Sequence, residues 1–183
     1  LDKTELEKGV VTMSAGNHAA AVAYGAKCLG VSAKVIMPKE TNPRKVALST
    51  QYGADIIFVD DIRDAYAVIE KIERSEGRAF IPAWGDARLT LGTASLALEL
   101  IEQCPPLDAF IVAIGGGSVC AGAGPLLKSI WTDCKVLAAE PEGAPTMLRS
   151  FASGKVEHLD KSTTIAEGLA PPLSCEYFTS ICR

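Results

Sequence analysis

The sequence has little of what would place a protein in a membrane, on nucleic acid or around a zinc ion. Its longest uninterrupted apolar stretches, such as Ala109 to Ile114, fall far short of the roughly 18 residues that span a bilayer. No Lys/Arg cluster is longer than Arg44-Lys45, and a net charge of −4 with a pI near 5.3 leaves no basic stripe to neutralise phosphates. The expectation is therefore no nucleic-acid partner and no membrane. The six cysteines (Cys28, Cys104, Cys120, Cys134, Cys175, Cys182) include no CxxC pair, and two histidines are too few for the common zinc patterns. Thiols scattered in this way read as reduced cysteines of a cytoplasmic protein rather than as a disulfide framework. The residues Leu1 to Glu5 are charged and helix-prone, without the apolar core of a secretory signal.

What is present is globular. Of 183 residues, 48% are hydrophobic and 22% charged, with a mean hydropathy of +0.20, whereas disorder needs low hydrophobicity and high net charge. That length holds one full core or two small lobes.

Strand-like and helix-like segments alternate along the chain. Val10 to Met13 is short and β-branched, followed by Asn17-His18 and an alanine-rich run that stops at Gly30. Ala33 to Met37 reads as a buried strand. Asn42-Pro43 then opens a helix, with an N-cap and a proline at the first helical position, running to Tyr52 before Gly53. Asp55 to Val59 is the next strand, Ile62 to Glu76 a helix with Ala65, Ile69 and Ile72 on its core face and Gly77 as stop, and Ala79 to Pro82 a further strand. From Asp86, an N-cap, a helix through Gln103 places Leu89, Leu96, Ala97 and Leu100 on its core face. Ala109 to Ile114 is a strand into Gly115-Gly116-Gly117, followed by a small-residue helix to about Trp131, a strand from Lys135 to Ala139, a strand-like piece around Thr163 to Ala166, and a helix near Glu176 to Arg183. This is βαβ spacing. It predicts an α/β fold with a parallel sheet covered on both faces, hence the apolar strands. Ala83-Trp84-Gly85, where a strand ends and a long capped helix begins, is the candidate lobe boundary.

Three segments carry chemistry. Ile111 to Ser118 is a strand entering a glycine run and then a helix, so main-chain N–H groups of Gly115 to Val119 converge with the positive helix end on one point and suit a phosphate. No Gly-Lys-Ser/Thr follows, which excludes a Walker A loop. The run is not GxGxxG, although Glu140, about 22 residues on, keeps a dinucleotide reading open, as does a packing turn alone. Ser14-Ala15-Gly16-Asn17-His18-Ala19 lies between strand and helix, where a hydroxyl, an amide and successive N–H donors suit a carboxylate; a Ser or Asn helix cap explains it equally well. His18 alone reads as a structural histidine. Thr163 to Gly168 ends in a glycine that lets another molecule approach the backbone, or is a plain strand-to-loop transition.

Taken in order and spacing, SAGNHA, VIMPKETNPRKV, GTASLALE, VAIGGGSVCAG, AAEPEGA and TIAEG resemble the serine/threonine dehydratases and serine racemases, pyridoxal-phosphate enzymes of the tryptophan-synthase β-like class. The resemblance covers essentially the whole chain. It implies a two-lobe α/β fold with residues 1–84 as most of the small lobe and 85–183 as part of the large, cofactor-binding lobe. It also implies pyridoxal 5'-phosphate as cofactor, an amino-acid substrate and a homo-oligomeric parent. Carried over by position, Gly115, Gly116, Gly117, Ser118 and the Val119 amide would bind the cofactor phosphate. Asn17 would meet the ring hydroxyl, and Gly168 would lie against the ring. Ser14, Ala15, Gly16, Asn17 and His18 would grip the substrate carboxylate.

The departures from the family pattern are informative. Ser118 stands where the family usually has a fourth glycine, and Gly92-Thr93-Ala94-Ser95 replaces the usual GQGT. Ala15 occupies the position at which racemases carry a serine base, as in dehydratases. At the racemase-type cation site Glu140 and Ala144 match but Thr146 replaces the second acid, leaving Glu140 as the one metal candidate. The Schiff-base lysine motif belongs upstream of SAGNHA, and neither Lys3 nor Lys8 fits it. No catalytic residue is therefore assigned here, and the chain reads as an inactive segment, beginning and ending inside helices, of a dehydratase (ammonia-lyase) that converts L-serine or L-threonine to a 2-oxo acid and ammonia. The alternative is a non-catalytic nucleotide- or anion-binding α/β module.

Overall fold

Four consecutive apolar or β-branched residues form β1 (Val10–Met13), and all four are buried. In the computed structural model, which describes residues 1–171 and 174–183, this strand organises the first of two compact units, Leu1–Ala83; the second is Trp84–Arg183. β1 pairs in parallel with β2 (Ala33–Pro38) on one side and with β4 (Ala79–Phe80) on the other, and β3 (Asp55–Val59) adds to β2, giving the order β3-β2-β1-β4. Because side chains alternate along a strand, neighbouring residues serve opposite faces. Val10, Val35 and Met37 pack with Ala19, Ala23 and Ala26 of α2 (Asn17–Leu29) and with Val46 of α3 (Pro43–Gln51). Val11, Met13 and Ile36 pack instead with Ala65, Ile69 and Ile72 of α4 (Ala65–Glu76). Each fully buried Val or Ile contributes about 1.5–3 kcal/mol, so the sheet is held from both sides.

The helix punctuation lies where the residues require it. Asn42 accepts a hydrogen bond from the Arg44 N–H with Pro43 in the first turn, and Gly30 and Gly77 stop α2 and α4 in the left-handed conformation. Ile62–Asp64 is a separate 3-10 turn capped by Asp61. The first helix, α1 (Lys3–Lys8), begins at a capping box of Asp2 and Glu5, which corrects the expectation that the chain opens inside a helix.

The second unit starts with α5 (Ala87–Gln103), capped by Asp86. It continues with β5 (Ala109–Ala113), α6 (Ser118–Ile130), β6 (Lys135–Ala139), α7 (Thr146–Ser153) and α8 (Glu176–Cys182). α5 and α6 approach closely at Gly122, where an added Cβ would stand 2.1 Å from the Thr93 hydroxyl oxygen. Ala97, Ala123, Leu127, Trp131 and Cys134 form the core beneath them. β5 and β6 form a two-stranded parallel sheet.

Three expectations fail here. The cover expected on both faces is found for the first sheet but not for β5 and β6, where Ile111 is 69% and Leu137 48% exposed. Leu96 is 42% exposed, because Ala97 with Leu100 and Ile101 carries the packed face of α5. Thr163 to Ala166 is not a strand: Thr163 donates its N–H to the Gly143 carbonyl, Ile165 is fully exposed, and a 3-10 turn follows at Glu167–Leu169. α7 was not anticipated, because its cap comes from outside the local sequence, as described below. No helix among the described residues is long and apolar enough to cross a membrane.

Candidate functional site

Each unit carries a glycine-containing turn at the carboxyl end of a strand. In open α/β sheets ligands bind in that position, particularly where strand order reverses. β1 is such a reversal, since β2 and β3 lie to one side of it and β4 to the other.

In the first unit, Ser14 leaves β1 with its N–H bonded to the Ile36 carbonyl, and its hydroxyl accepts from the Gly16 N–H at 3.0 Å. The N-cap of α2 is Gly16, and no side chain caps the helix. The Ser-or-Asn cap is thus not what is found, and the first-turn N–H groups at Asn17, His18 and Ala19 keep no side-chain acceptor. Ser14, Ala15 and Gly16 are half-buried and Asn17 is exposed. His18 has a structural role through its ring: Nε2 donates to the Ile81 carbonyl at 3.2 Å, the same oxygen that accepts the Thr12 hydroxyl at 2.7 Å. Burial, partly opposed by that hydrogen bond, holds the imidazole below its ordinary pKa and therefore neutral. Only its main-chain N–H remains for an anion.

In the second unit, β5 runs through Ile114, whose N–H bonds the Ala139 carbonyl, into the glycine run. Gly117 is the N-cap of α6 with φ +93°, a conformation that favours glycine, and it supplies no side-chain cap. The N–H groups of Ser118, Val119 and Cys120 precede the first helical acceptor. The three glycines face different neighbours. A Cβ on Gly115 would stand 3.2 Å from the Gly168 carbonyl oxygen, and one on Gly117 would stand 2.8 Å from the Met147 methyl and 3.1 Å from Phe178; around Gly116 and Gly168 there is nothing within 4 Å. The structure thus brings Gly168 beside the glycine run and leaves the middle of the turn open. Thr93 fixes the following helix by donating its hydroxyl to the Ser118 carbonyl at 2.8 Å. The Gly92-Thr93-Ala94-Ser95 departure therefore retains a positioning hydroxyl. Sequence reasoning missed it, because the contact joins two helices.

Both carboxylate oxygens of Glu140 are engaged by main-chain donors. One carboxylate oxygen accepts from the Met147 N–H at 2.7 Å and the other from the Leu148 N–H at 3.0 Å, so the side chain caps α7 from the end of β6. The Ala144 carbonyl accepts from the Thr146 N–H. Among the described residues no group of three His, Cys, Asp or Glu side chains is placed to hold a metal. A cavity of about 270 Å³ lined by Ile114, Glu140, Met147, Leu148 and Phe151, among others, has no cationic side chain in its wall. An anion is therefore better served by the open amides of the glycine turn than by that cavity.

Those amides fit a phosphate, and an uncapped helix start beside a hydroxyl fits a carboxylate. Comparison with known proteins gives the family. The family model described as pyridoxal-phosphate dependent enzyme matches residues 1–182. The phenylserine dehydratase of Ralstonia pickettii is 42% identical over 183 residues, all of this chain and 56% of that protein. The serine racemase of Schizosaccharomyces pombe is 37% identical over 92% of this chain and 52% of its own length. Among solved structures, the processed threonine deaminase isoform 2 of Solanum lycopersicum superposes with a TM-score of 0.91 at 31% identity, covering 100% of this chain and 53% of that one. The chain thus spans about half the length of the curated relatives it matches.

Proposed function

The chain belongs to the pyridoxal-phosphate-dependent enzymes, and from that premise we propose that the protein containing it is an ammonia-lyase that dehydrates L-serine or L-threonine to a 2-oxo acid and ammonia. In this reading the first unit is most of the small lobe and the second is part of the cofactor lobe. The observation that carries it is the pair of uncapped helix N-termini, one after β1 and one after β5, each preceded by glycine at the carboxyl end of a strand. The turn Gly115 to Gly117 with the N–H groups of Ser118 and Val119 holds the cofactor phosphate through main-chain donors, without any basic side chain. Gly168, beside Gly115 and with open space around it, lets the ring lie against the backbone. In the first unit, Ser14 to His18 present a hydroxyl and first-turn amides that suit the substrate carboxylate. The bound cofactor supplies an electron sink for the α-carbanion.

Ala15 supports elimination over the racemisation named among the relatives. It carries no group that returns a proton to the α-carbon, so elimination outruns racemisation. Similarity to a phenylserine dehydratase and a threonine deaminase supports the same reading. No lysine lies in either turn, and the 183-residue chain alone has no lyase activity.

The deciding measurement is release of 2-oxo acid from L-serine and L-threonine by the full-length protein, with chiral analysis of the remaining serine. Racemisation as fast as elimination would overturn the reading. An adduct on a lysine of residues 1–183, mapped after borohydride reduction and accompanied by serine turnover, would overturn instead the inactivity of this chain alone.

A further inference from the structure

Two cysteines far apart in sequence meet behind the glycine turn. Cys120, third residue of α6, is buried with Val112, Ile114 and Met147, and Cys182, the last residue of α8, packs against this cluster. Phe178 and Cys182 are four residues apart and share a helix face, and Phe178 is the fully buried side chain that closes off Gly117. The Cys182 thiol is directed at the Gly117 carbonyl oxygen, 3.6 Å away, at the start of the turn that carries Cys120, and packs on the same cluster as Cys120. The neighbouring Cys182 thiol draws Cys120 below the usual thiol range against the effect of burial, while Cys120 and burial push Cys182 up. The first turn of α6 favours a thiolate in the same sense.

We propose that Cys120 and Cys182 are a reversible redox pair, oxidised by a hydroperoxide to a disulfide that ties the first turn of α6 to the end of α8 and weakens the hold of the glycine turn on a phosphate. The second half of this statement rests on the cofactor reading above. The Cys120 thiolate attacks the peroxide O–O bond, becomes a sulfenic acid and releases water once the leaving oxygen is protonated. The Cys182 sulfur then displaces the sulfenic oxygen as a second water. Two thiols and one hydrogen peroxide give one disulfide and two waters, and a thiol reductant reverses the bond.

Partner choice follows from position. The Cys175 sulfur accepts from the Phe178 N–H at 3.3 Å as the cap of α8, Cys104 and Cys134 belong to the separate cluster under α5, and Cys28 lies in the first unit. An S–S bond of about 2.05 Å is much shorter than a contact between two thiols. Closing it draws α8 and the first turn of α6 together and removes the S–H donor facing the Gly117 carbonyl. The amides of Ser118 and Val119 ride on that turn, so their point of convergence shifts.

The experiment is hydrogen peroxide treatment of the full-length protein containing this chain, followed by intact mass, peptide mapping and titration of the apoprotein with pyridoxal phosphate. The expected product has lost two hydrogens, joins the Cys120 and Cys182 peptides, and reverts with dithiothreitol. Oxidation lowers affinity for pyridoxal phosphate about tenfold, and Cys182→Ser, given the same treatment, shows no such loss. Free Cys120 and Cys182 after treatment, or a bridge through Cys175 instead, overturns the proposal. A correct bridge with unchanged affinity overturns its coupling to the turn. Failure of the reduced full-length protein to bind pyridoxal phosphate overturns the cofactor reading, whereas the peptide map judges the disulfide independently.

Discussion

The two parallel sheets are built from similar residues and end in different environments. β1 and β2 are buried on both faces between α2 and α3 on one side and α4 on the other; β5 and β6 carry equally apolar sequences, yet Ile111 and Leu137 face outward. An apolar strand states that it needs cover. It does not state which element supplies it. In the first unit the helices between successive strands return to both faces. In the second, α5 and α6 pack on each other and on one side of the sheet.

Substitutions of matched side chains break or sharpen this contrast. The largest effect is expected at Ile36, which is 0% exposed: Ile36→Ala costs about 2–5 kcal/mol, read from the urea midpoint. Next is Gly122→Ala. Its new Cβ meets the Thr93 hydroxyl, the Thr90 carbonyl and the Ala94 nitrogen, so α5 and α6 separate at a cost of about 1–3 kcal/mol. Trp84 and Trp131 both belong to the second unit, and their fluorescence follows that loss. If Gly122→Ala is silent, the contact between the helices is not what holds this unit.

Glu140→Ala removes the acceptor of two α7 N–H groups and costs about 0.5–2 kcal/mol, with faster amide exchange confined to the start of α7. In the first unit, the lowered pKa of His18 means that the unfolded chain binds the proton more readily. Its contribution is complete above the unfolded value of 6.5 and is lost as pH falls below it. His18→Gln should flatten stability between pH 7 and about 5.5. The loss of stability from Asp61, Glu76 and Asp86, whose arginine and lysine partners hold them below the usual carboxylate range, belongs to more acid conditions. The smallest effect is expected at Ile111, where Ile111→Ala stays within about 0.5 kcal/mol. A loss as large as that of Ile36→Ala would mean that the outer face of β5 and β6 is covered in solution.

Much of this was legible in the residues. Strand positions, the Asn42 and Asp86 caps and the Gly30 and Gly77 stops are local matters of φ, side-chain oxygens and periodicity, and they are found where they were expected. The glycine turn was legible for the same reason, since few residues other than glycine adopt the φ of Gly117. α7 was hidden because its cap, Glu140, lies outside the helix and its adjoining residues. Thr163 to Ala166 misled because a β-branched apolar pattern is not a strand without a neighbouring strand to bond.

The sequence by itself thus determined the alternation of parallel strands and helices, the place of the glycine turn and the family, because each depends on residues that act within a few positions of one another. Only the tertiary structure decided that Gly16 leaves the amides of α2 uncapped, that Glu140 serves α7, that Thr93 anchors the helix after the glycine turn, and that Cys120 meets Cys182. These are contacts that burial and hydrogen-bond satisfaction impose between segments after the chain has folded, and no local pattern records which partner a buried group will find.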